Sequence, residues 1–464
     1  MKKLTAILCL TIAVLLGSVG VSESAERING ICLPETKHFH SPIAGKCSAS
    51  YEKGDYETAL REWKPLAEQG NAAAQKNLGV MYRYGYGVPH DNKTGFKWIT
   101  LAAEQGHVDA QVFLGLQYKF GHGVPQDYKI SGKWFRLAAK QGDVDAQYNL
   151  GIKYDKGQGV PKDAKTGVKW YTLAAKQGHV DAQFELGVEY EHGVNSSQDY
   201  KTAVKWYTLA AKQGHTGAQV YLGDIYFKGK GISKDYKTAV KWYTLAAKQG
   251  HVTAQFNLGV IYDQATIKDS QGVTYDQGLG FSKDYKTVVK WYTLAAEQGH
   301  TGAQFYLGNM YDKGHGVPQD DKTAVKWYRL AAEQGSTWDS RTFYAQYNLG
   351  YMYDKGKGVP QDDKTAVKWY RLAAKWGYAK AQYNLGLMYK HGAGVPRDDK
   401  AAVKWLKLAA EQGNADAQLN MGLMYKHGLG VPKDDKTGIK WYKLAAEQGH
   451  SDAKLIIAAE NGNK

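Results

Sequence analysis

Apolar positions along most of this chain return every 36 residues, marked by Trp98, Trp134, Trp170, Trp206 and Trp242 and again by Trp291, Trp327, Trp369, Trp405 and Trp441. Two steps are longer, 49 residues from Trp242 to Trp291 and 42 from Trp327 to Trp369. Both excesses fall at loops, so insertions near 264–276 and 336–344 leave the frame intact. A fixed period of this length is the signature of a solenoid, whose units bury their apolar faces only against their neighbours. Within the period from Asp145 to Gly178, Ala146, Leu150, Lys153 and Tyr154 share a helical face that ends at Gly157. This first helix, helix A, is stopped by Gly157, Gly159 and Pro161, the residues that leave or cannot continue a helix. Asp163 then offers an N-cap oxygen for helix B, which runs to Gln177 and stops at Gly178. Each unit therefore reads as two antiparallel helices joined by short turns.

Projected at 100° per residue, helix B places Ala203, Trp206, Leu209 and Ala210 on one side, with Val204, Tyr207 and Ala211 widening the apolar arc. Opposite lies a stripe of Lys201, Lys205, Thr208 and Lys212, repeated in neighbouring units as Lys165 and Lys169 and as Lys237 and Lys241. Such a stripe is a solvated outer face or a basic ridge for an anionic polymer or envelope surface. Helix A behaves differently. Its frame residues Leu150, Gly151 and Tyr154 return as Leu186, Gly187 and Tyr190, while its outward positions vary. One column runs Asn149, Glu185, Tyr221 and Tyr306. A second runs Ile152, Asp224, Asn309 and Tyr351, and a third Asp155, Glu191, Phe227, Asp263, Asp312 and Asp354. Constant scaffolding with divergent outward residues is what a recognition surface needs, and it is also what neutral drift leaves.

The pattern A-Q-x-x-L-G-x-x-Y-x-x-G-x-G-V-P-x-D-x-x-x-A-x-x-W-x-x-x-A-A-x-Q-G, which ends at Gly377 with Trp376 in place of its last Gln, closely resembles the Sel-1-like repeat family, relatives of the tetratricopeptide repeats. The resemblance covers about residues 72 to 455. It implies an all-α fold, a right-handed α-solenoid of antiparallel helix pairs with helix A lining the concave face and helix B outside. Carried onto this chain, the concave face holds Tyr148, Asp155, Phe184, Glu191, Tyr221, Asp224, Phe227, Asp263, Tyr306, Asn309, Asp312, Tyr351 and Asp354. Family members generally act as adaptors between proteins, and exported bacterial ones are often linked to envelope or host contacts. The implied partner is a protein or peptide, basic if the groove acids select it. The cysteine-rich branch of the family, with a disulfide in each repeat, is not matched.

The flanks complete the organisation. Residues 1–25 read as a signal peptide, with Lys2 and Lys3 ahead of an apolar run from Leu4 to about Val21 and small residues after it. No other segment approaches the length of a membrane span, so no stable span is expected after cleavage. The exported chain, periplasmic or secreted, keeps Cys32 and Cys47 in an N-terminal segment, 26–49, where an oxidising compartment would pair them. Residues 50–71 look like a plain tetratricopeptide cap, 72–451 form the array of about ten units, and 452–464 a closing helix and tail. The net charge of +15 favours anionic partners, but export argues against nucleic acid.

Chemistry is sparse. Two cysteines without a second pair make no zinc site. The histidines form two ladders, one after the helix B glycine (His107, His179, His215, His251, His300, His450) and one in the loop after helix A, and both read as loop-capping polar residues. Ser50 with Lys53 and the Lys-Thr-Gly triplets at 93–95, 165–167 and 436–438 echo penicillin-binding enzymes, but the triplet opens helix B rather than lying on a strand. No enzyme activity, cofactor or metal is expected.

Overall fold

A computed structural model describes residues 51, 53–193, 198–263, 266–268, 274–276, 284–334 and 339–462. The signal segment, Cys32, Cys47 and Trp338 lie outside the described residues. Two compact units, Met1–Trp242 and Tyr243–Lys464, divide the chain. In the first, α1 (Tyr56–Glu68) precedes alternating A and B helices: α2 (Ala72–Tyr84), α3 (Asn92–Glu104), α4 (Val108–Phe120), α5 (Tyr128–Lys140), α6 (Val144–Lys156), α7 (Ala164–Lys176), α8 (Val180–His192), α9 (Tyr200–Lys212) and α10 (Thr216–Lys228). The division falls inside α11 (Tyr236–Lys248). The second unit continues with α12 (Val252–Asp263), α13 (Tyr285–Glu297), α14 (Thr301–Lys313), α15 (Asp321–Glu333), α16 (Ser340–Lys355), α17 (Asp363–Lys375), α18 (Ala379–His391), α19 (Asp399–Glu411), α20 (Ala415–His427), α21 (Asp435–Glu447) and α22 (Ser451–Gly462). Each unit is a stack of antiparallel helix pairs, an α-solenoid. Within the longer insertion, β1 (Thr266–Lys268) and β2 (Thr274–Asp276) pair antiparallel, with Ile267 opposite Tyr275.

Helix A ends at a left-handed glycine, as at Gly157 with φ 68°. Helix B begins at the expected aspartate: Asp199 Oδ1 accepts from the Thr202 N–H at 3.1 Å, and the Thr202 hydroxyl donates to Oδ2 at 2.6 Å. The threonine of each Lys-Thr-Gly triplet makes the same bond, so the triplet is a capping device.

The core forms between repeats. Tyr171, Ala174 and Ala175 of α7 pack with Ala182 and Leu186 of the following α8 and with Trp206 of α9. Close approach of the two helices inside a repeat depends on the helix A glycine. A Cβ on Gly308 would lie 2.7 Å from the Tyr328 ring, and one on Gly350 would lie 2.8 Å from the Tyr370 ring. Those tyrosines are fully buried and the neighbouring Trp327 and Trp369 nearly so, whereas the tryptophan of other repeats, such as Trp206 and Trp405, is only partly buried.

Leu209 departs from the expected buried arc: it is 45% exposed, as is Leu173. The core centres on Ala203, Tyr207 and Ala210, and Leu209 projects about 120° away from Ala203 at 100° per residue, beside the lysines. The shorter insertion also differs from a simple loop. It extends α16 to 16 residues and sends the Arg341 guanidinium back over the Phe256 ring at 4.9 Å.

Candidate functional site: the helix A face

Among the expected groove residues, the structure separates those that hold the stack together from those that face outward. Tyr148 and Phe184 belong mainly to the stack. Each is half-buried and lies 4.4 Å from the ring of the histidine that caps the next helix A, His179 and His215 respectively. These histidines accept the N–H of Ala182 and Ala218 at Nδ1. Their Nε2 atoms therefore carry the proton and face Asp145 at 3.4 Å and Asp181 at 3.6 Å. In the first histidine ladder, His179, His215, His251 and His300 thus cap the following helix A through Nδ1, whereas His107 and His450 stand at the same position without that bond. Burial pulls the His215, His251 and His300 imidazoles below their ordinary value.

The acid column meets the helix B tyrosine of its own repeat. Glu191 is not an open carboxylate: it is buried, accepts the Tyr207 hydroxyl at 2.9 Å and pairs with Lys230 at 3.0 Å. The Asp354 carboxylate takes the Tyr370 hydroxyl at 3.4 Å, and Asp312 takes that of Tyr328 at 3.5 Å. Asn309 is closer to Tyr328, accepting its hydroxyl at 2.7 Å. Asp155 and Asp263 raise the Tyr171 and Tyr292 phenols further after burial has already done so. Sequence periodicity places these acids in one column but carries no signal that a buried phenol lies beneath it. Phe227 packs edge-on to Tyr236, and Tyr306 stacks on Tyr292 with Arg341 above it.

Of the expected groove residues, two tyrosines remain well exposed, Tyr221 at 36% and Tyr351 at 38%. Each stands one helical turn before a half-buried aspartate, Asp224 and Asp354, so an aromatic face and a carboxylate lie side by side on α10 and again on α16. Tyr221 is braced from behind by Phe184 and Tyr207 at 5.5 and 5.3 Å. On the helix B face Lys165, Lys169, Lys201, Lys205, Lys237 and Lys241 are all exposed.

A further column was not singled out from the sequence, although its residues recur there as Ala-Gln and Gln-Gly. The helix A glutamine is buried and donates to an alanine carbonyl at the end of the preceding helix B, as Gln183 does to Ala175 at 3.1 Å. Its oxygen accepts from the glutamine that ends its own helix B: Gln147 from Gln177, Gln183 from Gln213, Gln304 from Gln334 and Gln418 from Gln448, at 2.6–2.9 Å. The ladder has a gap where Trp376 replaces that glutamine.

Among the described residues no group of three or more His, Cys, Asp or Glu could hold a metal ion, and no helix is long and apolar enough to cross a membrane.

Comparison with known proteins gives this architecture a family. The Sel1 repeat matches at residues 72–107, 108–143, 144–179, 180–215, 216–251, 252–300, 301–336, 343–378, 379–414 and 415–450. The chain is similar to a protective antigen present in uropathogenic Escherichia coli strains, which displays an SLR fold: identity is 35%, the match covers 87% of this chain and 83% of that one, and the TM-score is 0.73. It is also similar to a Sel1 repeat protein from Oxalobacter formigenes, at 35% identity over 70% of this chain and 89% of that one, with a TM-score of 0.53. No curated protein matches the chain in sequence. The ten repeat matches and these two solved relatives place the chain in the Sel1 repeat family.

Proposed function

We propose that the protein is an exported, non-catalytic interaction scaffold that binds a basic protein or peptide on its helix A face. The observation that carries this reading is the pairing of an exposed tyrosine with an aspartate one turn away, Tyr221 with Asp224 and Tyr351 with Asp354, on a frame that is otherwise repeated. Aromatic side chains bury large area at low entropic cost, and a neighbouring carboxylate selects for charge. Similarity to a protective antigen supports an envelope or secreted location, where host or envelope proteins are the accessible partners. The exposed lysines of helix B support a second reading, attachment to an anionic polymer or envelope surface.

Ionic strength separates the two, since multi-lysine attachment is screened by salt while aromatic anchoring persists. The test is a pull-down from envelope extract and culture medium, washed at low and then high salt, with the native chain and with a variant carrying Tyr221→Ala, Asp224→Lys, Tyr351→Ala and Asp354→Lys. A discrete protein retained at high salt by the native chain and lost by the variant is the expected result. Retention of anionic polymer alone, released by salt from both chains, would overturn the groove reading in favour of the lysines.

A further inference from the structure

Helix B presents an almost uniform outer row in the first unit. On α7 the exposed side chains are Lys165, Lys169, Leu173 and Lys176, and α9 repeats that row in identical order 36 residues later. On α5 the row is Lys129, Lys133, Leu137 and Lys140, with Ile130 added. Leu137, Leu173 and Leu209 are 39%, 45% and 45% exposed, each with a lysine one turn before it and another one turn after. The three helices contain no carboxylate, and the aspartates that open them, Asp127, Asp163 and Asp199, accept backbone N–H groups of the first turn. In α13, α15, α19 and α21 of the second unit the leucine is again exposed, but a glutamate takes the place of the last lysine.

Lysine and leucine together select the partner. A free phosphate or sulfate polymer neutralises the ammoniums and leaves the leucines in water. A bilayer interface takes both, because headgroup phosphates lie beside acyl carbons and lysine stems reach from one to the other. Binding of this kind grows with the apolar area buried and with attraction to anionic lipid. The row is also monotonous. α7 and α9 offer the same chemistry at each step, whereas the outward positions of helix A change from repeat to repeat. Monotony suits a laterally uniform surface such as a fluid bilayer and gives an acidic protein no register to read.

We propose that the outer row of α5, α7 and α9 docks on the surface of an anionic lipid bilayer, with its lysine ammoniums against the headgroup phosphates and Leu137, Leu173 and Leu209 entering among the uppermost acyl carbons. The attachment is peripheral, since only these side chains leave the water. It narrows the lysine reading above to one kind of surface, and it does not use the Tyr221 and Tyr351 pairs of the helix A face.

The test uses the exported form, lacking residues 1–25, so that the apolar run from Leu4 contributes no insertion of its own. Co-sedimentation is measured with vesicles of phosphatidylcholine alone and of phosphatidylcholine mixed equally with phosphatidylglycerol, and binding to inorganic polyphosphate is measured beside it. The native chain should bind the anionic vesicles about tenfold more tightly than the neutral ones, or better. Leu137→Gln, Leu173→Gln and Leu209→Gln combined should weaken vesicle binding about tenfold and leave polyphosphate binding unchanged, with circular dichroism checking the fold. Lys133→Gln, Lys169→Gln and Lys205→Gln combined should weaken both. Tyr221→Ala with Tyr351→Ala should leave vesicle binding unchanged, which keeps this test separate from that of the groove. Equal binding to neutral and anionic vesicles, undiminished vesicle binding by the leucine variant, or binding to polyphosphate without binding to vesicles would each overturn the proposal. So would an acidic protein captured from envelope extract by the native chain and lost by the leucine variant, with the vesicles unbound.

Discussion

At the scale of single residues the least expected group is Lys153. It sits in a helix A column that holds Met81, Met310, Met352, Met388 and Met424 in other repeats, and it is 1% exposed. Its ammonium reaches the Tyr128 carbonyl at 3.2 Å and lies against the Tyr128 and Phe135 rings, and burial pulls it down to about 8. An unfolded lysine titrates near 10.4, so between about pH 8 and 10.4 the unfolded chain binds more protons than the folded one. Stability from this site therefore rises with pH across that window, and below about pH 8 the full cost of the buried charge is present. Lys153→Met should stabilise the protein by about 1–3 kcal/mol at pH 7, with a gain that shrinks toward pH 10. Denaturant melts of both chains at pH 7 and 10 measure this; a Lys153→Met chain no more stable at pH 7 would show that the ammonium is fully compensated.

At the scale of elements, much of the repeat was legible. Glycine, proline and aspartate set where helices stop and start, because those signals act within a few residues of the chain. The face of Leu209 and the fate of Glu191 were not legible, because each depends on a helix that periodicity cannot orient. A 100° projection shows an apolar arc but not its centre, and a column of acids does not reveal the tyrosine hydroxyl of the adjoining helix. The histidine N-caps fall between these cases: their position marks them as caps, but stacking on Phe184 and Phe256 required the fold. Because burial lowers the folded values of His215, His251 and His300, the unfolded chain takes up protons first as pH falls below about 6.5. Stability is intact above that pH and is lost as pH drops toward the lowered values. Asparagine caps α2 and α20 in the same way, at Asn71 and Asn414. The triple variant His215→Asn, His251→Asn and His300→Asn should therefore keep its folded stability at pH 7.5 and lose less than the native chain at pH 5, as read by thermal melting at both values.

At the scale of the whole molecule, the cores joining successive helices are built from neighbours, and this sets how damage spreads. The cluster around Tyr370 draws on α17 and α18 and on partly buried residues of α16 and α19, and it includes no residue of the first unit. Gly350→Ala would drive a Cβ into the Tyr370 ring, an overpacking that costs about 1–3 kcal/mol. In a globular domain with one core that loss would appear as faster exchange of every amide that opens globally. In a stack of nearest-neighbour interfaces it is concentrated on the repeats that share the interface. Hydrogen exchange of Gly350→Ala should accelerate in α16, α17 and α18, with protection of α2 to α8 unchanged. Uniform acceleration across the chain would mean that the repeats open as one cooperative body, against the nearest-neighbour reading of the stack.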